Sequence, residues 1–225
     1  MLLSERSFPM TIQIWSDVDV DVQSAAAASK PITAISKANP AVVTAAAHGL
    51  VVGDLALLRV RGMGQLDWAL VRAAAPLTTD SFVAKGVDTS EFTGSFVSGS
   101  VAKITLGISA ETITDVSPSG GDAAQVTIST IHKKPDYAIT GKAAPLTYAL
   151  GSLWDVSDPA LLAFKAASRT KKVLAVRFGF PDGTEVLFAA QPSANLAPGG
   201  SAGAAVTTPV TLAVRGWLQA YEPAV

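Results

Sequence analysis

At 225 residues the chain is long enough for one large or two small domains, each with a real core. Only 16% of residues are charged while 49% are apolar, so other subunits are expected to cover much of a surface that a lone soluble protein would charge more heavily. A formal net charge of −1 and the lack of any cysteine exclude a basic nucleic-acid domain, disulfides, thiolate metal sites and cysteine nucleophiles.

The first ten residues, MLLSERSFPM, have neither the cationic start nor the apolar run of a signal peptide. No stretch reaches the uninterrupted apolar length of a membrane helix, so a soluble product made in the cytoplasm is expected. Residues 11–22 alternate, with Ile12, Ile14, Val18, Val20 and Val22 on one parity and Gln13, Asp17, Asp19 and Asp21 on the other. That pattern predicts a half-buried strand with a carboxylate face. The alanine run 25–28 and Lys30-Pro31 predict a linker.

Strands are then expected at 32–36, 41–44, 54–60, 68–73, 81–84 and 100–105. Turn chemistry separates them at Asn39-Pro40, His48-Gly49, Gly53-Asp54, Gly62-Met63-Gly64 and Ser98-Gly99. Short strands at such close spacing favour a small closed barrel, because closure removes exposed edges.

Beyond residue 105 the strands lengthen. Val126 and Ile128 alternate with Thr127 and Ser129. Leu174, Val176, Phe178 and Phe180 share a face, as do Val186, Phe188 and Ala190, and Pro181-Asp182-Gly183 between them predicts a hairpin turn. A final strand at 211–219 sets Leu212, Val214 and Leu218 against Thr211, Arg215 and Gln219. One helix is predicted. Asp158 suits its N-cap and Pro159 its first position, Ala160, Ala163, Phe164 and Ala167 form its packing stripe, and Arg169, Lys171 and Lys172 oppose its negative end.

Little in the chain carries chemistry. Counted from Asp17, the sixth and twelfth positions of an EF-hand loop are Val22 and Ala28, which excludes that loop and favours a solvated strand face. His48 reads as a turn residue and His132 as a strand end, neither with a recognisable partner for metal binding or general-base work. Neither G-x-S-x-G nor H-E-x-x-H occurs. The glycine pairs lack the context of a phosphate cradle, and 198–204 reads as a flexible loop. Trp15, Trp68, Trp154 and Trp217 are scattered, so core or interface anchoring is the default for each. No catalytic residue, metal or cofactor is expected.

Two resemblances follow. His48-Gly49-Leu50, Gly53-Asp54, Gly62-Met63 and Asp88-Thr89-Ser90 with Phe92 resemble a small β-barrel half-domain of the ubiquitin-activating enzyme, a module that phage tail proteins also carry. The enzymatic context needs a cysteine and an adenylation domain, and the chain has no cysteine and no evident adenylation motif. A second, ordered set comprises Gly120-Gly121, Trp154-Asp155, Asp158-Pro159, Thr170, Pro181-Asp182-Gly183, a Gly-rich loop, Val206-Thr207-Thr208 and Gly216. Over nearly the full length that set resembles bacteriophage tail tube proteins.

The second resemblance implies a mainly β fold: a tail-tube-type β-sandwich or half-barrel with one packed helix, from residues 1–30 and 106–225, carrying 31–105 as an inserted small β-barrel. That module either decorates the outside or reinforces the contact between rings, and the outside is preferred because the lumen must stay clear. It implies hexameric rings stacked into the conduit of a virion tail. Expected partners are other copies, the tape-measure protein and translocating DNA in the lumen without specific binding, and the tail tip and terminator proteins, with no membrane insertion. A lumen lined by Asp, Thr and Gln would repel phosphate. Either the Asp17, Asp19 and Asp21 face or the Thr211, Arg215 and Gln219 face is therefore expected to line it, with Arg215 counting mildly against the latter. Two other readings share some features: a secreted or surface carbohydrate-binding β-sandwich, and the tube protein of a bacterial secretion machine.

Overall fold

A computed structural model describes Ile12 and residues 14–222, with the backbone alone for 133–135. The first strand, β1 (Asp19–Ala26), starts later than the alternation predicts. Residues 15–17 form a bend, and Asp17 takes a left-handed conformation with φ of 54°. This turns the chain before Val18. Thr11 and Gln13 of the expected strand lie outside the described residues. At its other end β1 continues through Ala25 and Ala26, part of the expected linker. Pairing with Thr105 and Ile104 overrides the low strand preference of alanine there. Lys30-Pro31 likewise lies in a short strand, β2 (Lys30–Ile32), rather than in a linker.

The next strands are β3 (Ala34–Ile35), β4 (Val42–Thr44), β5 (Leu55–Arg61), β6 (Leu70–Ala74) and β7 (Ser81–Ala84), with a 3-10 turn at Gly64–Leu66. Their inward residues, Leu58, Met63, Leu66 and Phe82 among them, form a core of their own. Trp68 does not begin a strand as predicted. It sits at φ of 64°, outside the ladder, and the Arg59 guanidinium stacks 3.5 Å from its ring centroid.

Strand β8 (Ser98–Ser109) runs unbroken past residue 105. Its first half pairs with β2 and β5, and its second half pairs with β1. It thereby joins the first group of strands to the second. These are β9 (Ile113–Ser119), β10 (Ala123–Thr130), β11 (Lys133–Ala143), β12 (Thr147–Leu153), β13 (Leu174–Gly179), β14 (Glu185–Ser193) and β15 (Thr207–Tyr221). The antiparallel order β8-β1-β13-β14-β15-β12-β9 curls around a second core that includes Val22, Leu150, Phe178, Phe188 and Leu212.

The single α-helix among the described residues, α1 (Pro159–Thr170), plugs that core. Asp158 caps it, accepting from the backbone N–H groups of Ala160 and Leu161. Ala160, Leu161, Phe164 and Ala167 are buried and Ala163 is half-buried. Twelve residues are marginal as an isolated helix, so this stripe holds α1 in place. A third, smaller cluster joins the halves: Leu55, Leu70 and Ile104 pack on Ala175, Leu187 and Tyr221.

Candidate assembly surfaces

Directly paired residues of an antiparallel ladder point to the same face. Asp19 pairs with Gly179, Asp21 with Arg177, Arg177 with Leu187, and Leu187 with Gln219. Further along β14 and β15, Ala189 pairs with Arg215 and Ser193 with Thr211. Asp19, Asp21, Thr211, Arg215 and Gln219 therefore share one face, the one opposite the α1 core. The structure thus joins the two residue sets that the sequence presents as alternatives. Asp17 sits just before β1, in the bend.

That face divides into two parts. Over β13 and β14 it is covered by the first strand group, and a relay of charges stitches the contact. Arg177 pairs with Asp21, its Nε lying 2.9 Å from Oδ2, and its Nη1 reaches Glu185 Oε1 at 3.0 Å. Glu185 in turn pairs with Arg72 on β6. Burial alone would lower the affinity of Arg177 for its proton. The hydrogen bonds and negative charges of Asp21 and Glu185 outweigh that and hold it above the ordinary arginine value. Tyr221 completes the junction. Its Oη accepts from the Arg72 N–H at 3.0 Å and donates to the Lys85 carbonyl at 3.1 Å. Burial raises its hydroxyl pKa above the ordinary value. Asp21 is thus part of an internal relay, while Asp19 is exposed.

Over β9, β12 and the start of β15 the same face is open. There Thr147 pairs with Ser119, Ala149 with both Ser117 and Thr211, and Gly151 with Asp115. All are exposed or half-buried. The result is a strip of small, mostly polar side chains with one carboxylate. Strand β9 forms the sheet edge, paired on its β12 side only.

From this edge projects an arm, the β10–β11 hairpin, which forms a sheet of its own. Gly120 and Gly121, at φ of 82° and 88°, kink the chain into it. A Cβ on Gly120 would lie 2.2 Å from the Pro145 carbonyl oxygen, so only glycine fits. In the arm Val126 pairs with Ile139 and Ile128 with Tyr137, which places all four on one face. Val126, Tyr137 and Ile139 are each nearly half exposed, and Ile131 at the tip is 94% exposed. The sequence reading caught Val126 and Ile128. It missed Tyr137 and Ile139, which carry the same period-two signal, and it missed the Arg177–Glu185–Arg72 relay, for which spacing along the chain offers none.

The remaining residues singled out by sequence stay apart. His48 is buried, with Nδ1 accepting from the Leu50 N–H at 3.0 Å and its ring against Phe82. His132 sits in the tip turn of the arm. Trp15 packs on Phe178 and Phe180, Trp154 donates its indole N–H to the Leu196 carbonyl at 3.0 Å, and Trp217 meets Phe92 edge-on. Among the described residues, no group of three or more His, Cys, Asp or Glu could hold a metal ion. No helix among them is long and apolar enough to cross a membrane.

Comparison with known families gives a match over most of the chain. A family model described as "Phage tail tube protein, TTP" matches residues 62–223. The span opens just before the 3-10 turn and takes in every strand from β6 to β15. No curated protein matches the chain.

Proposed function

The chain belongs to the phage tail tube protein family, and from that premise we propose that its copies join edge to edge into hexameric rings that stack as the conduit for DNA ejection. The observation that carries this reading is the arm. A two-stranded ribbon is marginally stable alone in water, yet this one exposes an apolar stripe of Val126, Ile139 and Tyr137. Such a stripe calls for a cover, and a neighbouring copy supplies one. The β9 edge is the second support. In a monomer it invites uncontrolled pairing, and ring closure converts it into a specific joint.

In this arrangement the open strip from Asp115 to Thr211 lines the lumen. Small side chains and a carboxylate give phosphate nothing to hold, so DNA and the tape-measure protein pass without specific binding. Asp19 lies on the same face at the start of β1, apart from this strip, and Asp21, Arg215 and Gln219 lie toward the covered part. The 31–105 barrel decorates the outside. The role is structural rather than catalytic, in the virion tail, with the tail tip and terminator proteins as end partners.

Polar substitution of the arm tests the reading. Val126→Ser with Ile139→Ser should leave the melting transition of the subunit intact and abolish large assemblies in light scattering. Assemblies of wild-type size from that variant would remove the arm from the contact.

A further inference from the structure

The two ends of strand β1 differ in charge. At its start, Asp17 and Asp19 border a cleft of about 330 Å³ together with Glu111 and Asp115. All four carboxylates are exposed. At the other end lies a larger cleft, about 630 Å³, between the first strand group and the curled sheet. Leu57 and Ile104 line it, as do Arg59, Lys171, Lys172 and Arg215, and no carboxylate does. Arg59 is already paired, with Asp67 at 3.0 Å and with the Trp68 ring. Lys171, Lys172 and Arg215 form no ion pair among the described residues. Arg215 is oriented by a 2.7 Å hydrogen bond to Gln191.

The strand ladders place these clefts at opposite ends of the molecule. Asp19 lies opposite Gly179, the last residue of β13, whereas Lys171 and Lys172 precede Leu174, the first. The length of β1 separates them by about 23 Å, at roughly 3.3 Å per residue. Screening at physiological salt acts over about 8 Å, so neither end neutralises the other within one chain. The formal net charge of only −1 leaves little overall repulsion between copies.

We propose that the basic cleft of one copy receives the acidic end of the next, so that copies stack in one sense along the β1 direction. This rests on the tube reading and adds to it the surfaces that meet between successive rings. A contact between two different patches of the same chain does not close on itself when the copies are related by translation, and it propagates as a filament. The apolar floor of the cleft, built from Leu57 and Ile104, fits a protein end better than a nucleic acid backbone.

Two charge-reversed variants test the proposal. K171E/K172E leaves Arg215 as the one unpaired cation of the cleft and makes both ends acidic, and D17K/D19K/E111K leaves Asp115 as the one carboxylate of the other cleft and makes both ends basic. Each alone is expected to form single rings that do not stack, and an equimolar mixture is expected to recover tubes in electron micrographs. Wild-type tube length should fall at least about tenfold between low and high salt. K171Q/K172Q, a milder change for the case in which a reversed chain does not fold, should shorten tubes and flatten that salt dependence. Reversed variants that stack like wild type, or a mixture that stays as single rings, would overturn the proposal. So would a short DNA duplex that binds the cleft while leaving tube length unchanged. Rings that form but ignore both reversals refute this inference alone, whereas wild-type protein that forms no rings refutes the tube reading beneath it.

Discussion

Replacing Phe164 by Ala probes how the two cores depend on each other. The ring is fully buried and packs from α1 into the curled sheet. Truncating such a residue costs about 3 to 5 kcal/mol, from lost transfer energy plus the cavity left behind. The helix has no independent stability to fall back on, being only 12 residues long. For a chain of this size each kcal/mol moves the melting temperature by roughly 2 to 4 °C, so the expected drop is about 6 to 20 °C. Phe82→Ala removes an equally buried ring from the other core. Strand β8 spans both cores, and Leu55, Leu70 and Ile104 dock on Ala175, Leu187 and Tyr221. Both variants should therefore lower one common transition, read by calorimetry and by tryptophan fluorescence. Two separate transitions, of which each variant shifts only its own, would refute the coupling.

Other expectations concern the junction and the arm. Glu185→Gln removes the negative charge shared by Arg177 and Arg72, which are 31% and 24% exposed, and replaces one of the two accepting oxygens by a donor. The loss should be about 1 to 3 kcal/mol in urea unfolding, below that of a fully buried pair because water still screens the site. A loss within error would show the relay to be energetically idle. Gly120→Ala places a Cβ against the Pro145 carbonyl and forces a left-handed alanine, worth about 1 to 2 kcal/mol of local strain. Amide exchange should speed up in residues 123–143 and stay unchanged in α1, and uniform acceleration would contradict a local hinge. Tyr221 binds its proton more tightly in the folded chain than the ordinary value of 10.0. At high pH the unfolded chain thus loses that proton first, and stability falls as pH rises above about 10. Tyr221→Phe should lose the junction hydrogen bonds at neutral pH and show a shallower alkaline decline in urea midpoint. Parallel declines for both proteins would assign the slope to other groups, such as Tyr148.

The parts legible in the sequence are those where a local rule acts alone. Leu174 to Phe180 alternates because one face of β13 meets the core, and Asp158-Pro159 opens α1 because capping is a contact between near neighbours. The β9–β12 ladder was not legible. Its open face is Ser, Thr, Ala and Gly with only Asp115 charged, so the alternation lacks contrast and Pro118 interrupts it. Strand β8 runs four residues past the expected end at 105 because its second half pairs with a different partner, β1. The shared face of Asp19, Asp21, Thr211, Arg215 and Gln219 depends on pairings between residues more than 150 positions apart, such as Asp21 with Arg177. A bulge at Gly216 in β15 also enters that register. The Lys171, Lys172 and Arg215 cleft exists only once β13, β14 and β15 are side by side.

Electron microscopy of the purified full chain at high concentration tests the central claim most directly. Assembly through the arm and the β9 edge predicts stacked rings of uniform width with an open channel. A compact monomer that persists at every concentration and salt condition would contradict it.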